Sequence, residues 1–110
     1  MIEDTIGKIE ARIQGADAIH DDRKRELLEL LGTLKAEVVT LSNTHEEQAQ
    51  SIAGFAEIST REATRSQRDP RLLKLSLDGL NSSVGNFEKS HPKLTQVVNA
   101  ISNLLSNFGI

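Results

Sequence analysis

The run LLELLGTLKAEVVTL, from Leu27 to Leu41, places apolar side chains at Leu27, Leu31, Leu34, Val38 and Leu41, in alternating steps of four and three. Steps of four and three keep successive side chains on one face of an α-helix, so this stretch is an apolar seam that must meet other helices. A second seam with the same steps runs Leu73, Leu77, Leu80, Val84, Phe87. A third, Leu94, Val97, Ile101, Leu104, Phe108, is widened by Val98 and Leu105 into a broader core-facing stripe. A shorter one at the start is Ile2, Ile6, Ile9, Ile13. No comparable stretch alternates with period two, so the chain reads as all-α. The expected architecture is an antiparallel helical bundle or a set of coiled-coil-like hairpins, completed by self-association.

Composition narrows the function. At 110 residues the chain is read as a single helical domain over 1–110, with room for one modest core. It has no cysteine, which removes disulfide frameworks, thiolate zinc sites and a cysteine nucleophile. Acidic residues number 16 against 13 Lys and Arg, a mild balance that does not point to nucleic acid. The three aromatic residues are all Phe, so neither Trp nor Tyr is available for stacking on bases or sugars. No basic segment leads into an apolar run, and no apolar run is long enough for a bilayer, so no membrane span and a cytoplasmic location are expected.

Local punctuation sets the boundaries, with helices expected over about 2–14, 20–42, 45–67, 70–89 and 92–108. Gly15 can end the first helix, and Asp17, Asp21 and Asp22 then sit near the positive end of the next helix dipole. Between Ser42 and Glu47 the chain reads SNTHEE, where Thr44 and Glu47 have the spacing of a capping box. A continuous seam through His45, Gln48, Ile52 and Phe55 is the alternative, but polar His45 and Gln48 weaken it and a break is favoured. Ser59 with Glu62 is a second capping-box pattern in the same region. Asp69 before Pro70 marks a helix start, since proline disfavours helical geometry in the residue before it and suits a first helical position. Ile52, Phe55 and Ile58 give this middle segment too little apolar surface to stand alone, so it should lie against the other helices or against a second copy.

The stretch FEKSHPKLTQVV, Phe87 to Val98, gathers a serine, a histidine and a proline at one junction. Pro92 forces His91 out of helical geometry and starts the last helix, so Ser90, His91 and Pro92 read as a helix-to-helix turn. The longer segment FEKSHPKLTQVVNAISNLLSNFGI, Phe87 to Ile110, resembles the C-terminal signature of a bacterial domain-of-unknown-function family, number 4404. The matching features are phenylalanine-glutamate, then histidine-proline-x-leucine-threonine, then an amphipathic helix closing on asparagine, a bulky apolar residue and glycine-isoleucine. The leucine-rich part from Arg25 to Leu41 is compatible with the same family. The middle, roughly Thr44 to Arg71, is longer than the linker of its shorter members. The resemblance implies a small bacterial helical protein and brings no activity, cofactor or catalytic residue with it.

No constellation for chemistry emerges from the residues themselves. His20, His45 and His91 are far apart and belong to no metal-site motif, and His45 beside Glu46 and Glu47 does not share a helix face with them. Serines occur without a GxSxG elbow or an SxxK pair, and a hydroxyl without a positioned base is a poor nucleophile. Gly7, Gly15, Gly32, Gly54, Gly79 and Gly85 are scattered singly and make no phosphate-cradling loop. Gly79 and Gly85 fall inside an expected helix, where each costs about 1 kcal/mol relative to Ala, so close helix approach is their expected compensation. No enzyme activity, catalytic residue, metal or cofactor is expected.

One charge pattern stands out. REATRSQRDPRLLK, Arg61 to Lys74, holds five bases against two acids. If the segment is helical, Arg61, Arg65 and Arg68 line one face, and with Arg71 and Lys74 they form a candidate anion-binding stripe. Its alternative is a solvated face. The leading functional reading is a non-catalytic helical protein-interaction or assembly module whose partners are a second copy, as a homodimer, and another protein. An anion or nucleic-acid binding factor using the stripe is the second reading. An enzyme whose site forms only on assembly, with His91 or His45 as base, is the third.

Overall fold

The computed structural model describes residues 1–108, and every regular element among them is helical. Helix α1 spans Ile2–Gln14, α2 Asp21–Ser42, α3 Glu46–Ala63, α4 Pro70–Ser83 and α5 Pro92–Phe108, with a 3-10 turn at Gly85–Phe87. Gly109 and Ile110, the last two residues of the family resemblance, lie outside the described residues. The protein is all-α, and the apolar seams are what make it so. Ile6, Ile9 and Ile13 of α1 and all five seam residues of α2 are buried to within one per cent. The seams of α4 and α5 are buried as well, while Phe108 packs half-buried at the core edge.

The boundaries follow from a few local bonds. α2 and α3 are separate helices: the amides of Thr44 and His45 both return to the Leu41 carbonyl, at 3.1 and 2.8 Å, which closes α2. The Thr44–Glu47 capping box does not form. Instead the Thr44 hydroxyl donates back to the Leu41 carbonyl at 3.3 Å, and α3 begins after His45 without a side-chain cap. The Ser59–Glu62 pair caps nothing, because both residues lie inside α3. At Asp69 the backbone is extended, as a residue before proline requires, and its carboxylate accepts from the amides of Arg71 and Leu72 at 3.0 and 3.4 Å.

Two helices are shorter than their sequence pattern. The helix expected over 45–67 stops at Ala63, where Thr64 leaves helical geometry and its hydroxyl bonds back to the Thr60 carbonyl at 2.7 Å. The helix expected over 70–89 stops at Ser83 and tightens into the 3-10 turn. The seam continued past that point because Val84 and Phe87 are both buried although neither is α-helical.

α3 holds the centre of the fold. It touches α1, α2, α4 and α5, whereas the only α-helices that α4 touches are α3 and α5. A helix with four neighbours needs a narrow body, and α3 has one: Ala49, Ala53, Ala56 and Ala63 are all buried, with Ile52 the one large aliphatic side chain among its buried residues. Small side chains let backbones approach closely, which is why the weakest apolar segment of the sequence occupies the most surrounded position. The Cα radius of gyration is 12.9 Å, matching the roughly 13 Å of a compact domain of this length.

Candidate interaction surface

The residues read from sequence as interaction seams meet one another within this one chain. Leu27, Leu31, Leu34, Val38, Leu41, Ile52, Leu80, Leu94 and Ile101 are fully covered, and Leu73, Leu77, Val84, Phe87, Val97 and Leu104 nearly so. Phe108 is half-buried at the core edge, and Phe55 is the most exposed of these residues, at 37%, with Ile58 at 42% one turn further along α3.

Phe55 lies on Gly79 of α4. A β-carbon placed on Gly79 would stand 2.5 Å from Phe55 Cε1 and 2.7 Å from Cδ1, far inside normal contact. Here the expected close approach is real, but at Gly85 nothing lies within 4 Å. On α4, Leu72 (43% exposed) and Leu75 (65% exposed) precede Gly79 by seven and four residues, on the same flank of the helix. On α3, Phe55 meets this flank at Gly79, and Ile58 is exposed on the outer side of α3 one turn further along. Four of the five large exposed apolar side chains among the described residues thus share the α3–α4 face, Met1 being the fifth. A shallow groove beside Phe55 and Gly79 continues the strip toward Ser82, Ser83 and Asn86.

The charges around this strip are divided by end. Exposed Glu46 and Glu47 open α3 at one end. Exposed Arg71 sits beside Leu72 at the other, while the Lys74–Asp78 pair (3.1 Å), with both side chains largely in solvent, lies on the side of α4 toward α5. Such an exposed pair stabilises by well under about 1 kcal/mol and leaves the strip open.

The basic stretch does not form one helical face. Because α3 ends at Ala63, Arg61 remains on α3 beside Lys8 and Arg12, while Arg65 and Arg68 fall in the connection and Arg71 and Lys74 ride on α4. The break comes at Thr64, which leaves helical geometry and bonds its hydroxyl back to the Thr60 carbonyl at 2.7 Å. Arg65 and Arg68 instead face a cleft of about 640 Å³, together with His20 and Arg23 from the start of α2. Sequence reasoning missed both this cleft and the strip. Leu72 and Leu75 belong to no seam, and the walls of the cleft come from segments distant in sequence.

Among the described residues no group of three or more His, Asp or Glu converges on a point. His45 and His91 do approach a shared neighbour, each edge-on to the Phe87 ring, at centroid distances of 5.3 and 5.7 Å. Their Nδ1 atoms bond to the adjacent hydroxyls of Thr44 (2.8 Å) and Ser90 (2.9 Å). Ser90 and His91 are the turn before Pro92, and the His91 carbonyl accepts from the Thr95 amide in the first turn of α5.

Residues 27–110 match the family described as a domain of unknown function (DUF4404). The chain belongs to that family. No curated protein and no solved structure matches it. The DUF4404 match starts at the first residue of the α2 seam and runs through α5, so it contains the whole α3–α4 face. α1, His20 and Arg23 lie before it. No helix of the described residues is long and apolar enough to cross a membrane.

Proposed function

We propose that this DUF4404 protein is a non-catalytic assembly module, an antiparallel helical bundle that pairs with a second copy of itself through the α3–α4 face. The observation that carries the reading is the concentration of exposed Phe55, Ile58, Leu72 and Leu75 on that one face, on a chain whose other apolar seams are covered internally. Clustered apolar exposure marks a contact surface in a way that scattered exposed side chains do not. The chain's own charge distribution favours a second copy as the occupant. A two-fold axis across the strip brings the Arg71 end of one copy against the Glu46–Glu47 end of the other, so each apolar strip is bracketed by opposite charges. The contact area of two helices is modest, which suits a reversible dimer more than a permanent one.

Light scattering coupled to gel filtration tests this. The wild-type chain should give the mass of two chains at high micromolar concentration, and Leu75→Asp should give one chain with unchanged helical circular dichroism. Leu75 is the most exposed residue of the strip, so its replacement leaves the core intact. A wild-type mass of one chain at that concentration would remove the proposal.

A further inference from the structure

The cleft at the end of the molecule away from the Phe87 turn is built by three segments that are remote in sequence. These are the α1–α2 connection, the α3–α4 connection, and the final residues of α5. Two of them are tied together: Arg12 at the end of α1 donates from Nε to the Thr64 hydroxyl at 2.6 Å, and Thr64 in turn holds the end of α3. The Lys24 ammonium ties α2 to the end of α1 by donating to the Gln14 carbonyl at 3.2 Å. The walls therefore stand in a defined relation to one another.

Their charge is one-sided. Arg23, Arg65 and Arg68 line the cleft against a single carboxylate, that of Asp17. Asp21 and Asp22 begin α2 but do not line it. Arg65 gives one nitrogen to Glu62 at 2.9 Å and keeps its remaining donors, while Arg23 and Arg68 join no ion pair among the described residues. Beside these cations lie Ile19, Ala63 and half-buried Phe108, an apolar wall on which the body of a small molecule can rest.

We propose that this cleft binds a small organic phosphate monoester, the phosphate held by Arg23, Arg68 and the free donors of Arg65 and the organic part lying against Ile19 and Phe108. A volume of about 640 Å³ is far larger than a bare phosphate and lies within the usual range for small-molecule sites. Arg23 comes from α2, whereas Arg65 and Arg68 come from the α3–α4 connection, so the cleft presents guanidinium forks from two separate segments. A tetrahedral phosphate accepts such forks on several oxygens, whereas a planar carboxylate satisfies one fork. The site is separate from the α3–α4 strip and does not depend on the dimer.

The test is a titration of the full chain with phenyl phosphate, followed by amide chemical shifts, with benzoate as the planar comparison. Saturable shifts are expected in residues 15–23 and 64–68. Binding should weaken about tenfold or more in the Arg23→Gln, Arg68→Gln double variant, and benzoate should bind about tenfold more weakly than phenyl phosphate. Arg61→Gln with Lys74→Gln removes two bases of the same sequence stretch that lie outside the cleft, and should leave the affinity unchanged. Absence of saturable shifts at millimolar phenyl phosphate overturns the proposal. So does an equal loss in both double variants, which would reveal a diffuse basic surface, or equal binding of benzoate, which would remove the phosphate assignment.

Discussion

Gly79 and Phe55 make the packing of α3 on α4 measurable. Replacing a helix-interior glycine by alanine normally stabilises by about 1 kcal/mol, because alanine loses less backbone freedom on folding. Gly32, exposed in α2 with nothing within 4 Å of an added β-carbon, should show that gain in full. At Gly79 the new carbon would stand 2.5 Å from the Phe55 ring, so the ring must retreat by about 1 Å to reach normal contact. Phe55 is 37% exposed and free to swing outward. Doing so forfeits much of its packing on α4, on the order of 1 kcal/mol of the roughly 1.5–3 kcal/mol that full burial of a phenylalanine supplies. The two effects nearly cancel, so Gly79→Ala should change stability by less than about 0.5 kcal/mol in the wild-type background. In a Phe55→Ala background the obstruction is gone, and the same substitution should stabilise by about 1 kcal/mol. Urea unfolding followed by far-UV circular dichroism, at a concentration where light scattering shows a single chain, measures both legs of the cycle. A gain of about 1 kcal/mol for Gly79→Ala in both backgrounds would mean the ring does not rest on Gly79, and the account of the α3–α4 contact would fail.

Three other substitutions probe the fold independently. The Ser59 hydroxyl is buried with no hydrogen-bond partner among the described residues, so Ser59→Ala should stabilise by roughly 1 kcal/mol in urea unfolding, and a loss instead would reveal a hidden partner. Asp69→Ala removes the acceptor for the Arg71 and Leu72 amides and should cost about 1 kcal/mol, with amide exchange accelerated in the first turn of α4 rather than elsewhere. Ala56→Leu forces a branched side chain into the crowded face of α3 and should destabilise by about 1–3 kcal/mol in thermal unfolding, and an unchanged midpoint would show that α3 is not tightly surrounded.

The same residues explain which parts of the fold were legible beforehand. Leu27, Leu31, Leu34, Val38 and Leu41 stand out from polar neighbours, and each proves fully buried. On α3 the contrast is reversed. Apart from Ile52, its buried face is alanine, serine and threonine, which carry little apolar signal, while conspicuous Phe55 and Ile58 stay exposed. Periodicity reads side-chain polarity, and a central helix is selected for slimness instead. The arginine stripe misled for a related reason: four-three spacing implies a face only where the helix continues, and α3 ends at Ala63, where Thr64 leaves helical geometry. The cleft had no sequence signal, since Arg12 and Thr64 are 52 residues apart and only the packing of α1 on α3 unites them.

α1 raises a structural point about the family boundary. It lies before the DUF4404 match, yet Ile6, Ile9 and Ile13 are as deeply buried as any residue of the matched region. Ile9 and Arg12 lie against Thr60 and Arg61, so α1 covers one side of α3, and its end supplies the bond that fixes the cleft. Removing it would uncover a face of α3 made of small side chains, too poor in apolar surface to stay folded against water alone yet flat enough for another helix to approach closely. A family member without an equivalent of α1 must therefore cover that face by other means, and a second copy of the same chain is the one helical surface always present in equal amount. On this argument α1 completes the core inside one chain, which leaves the α3–α4 strip as the apolar face still available for contact.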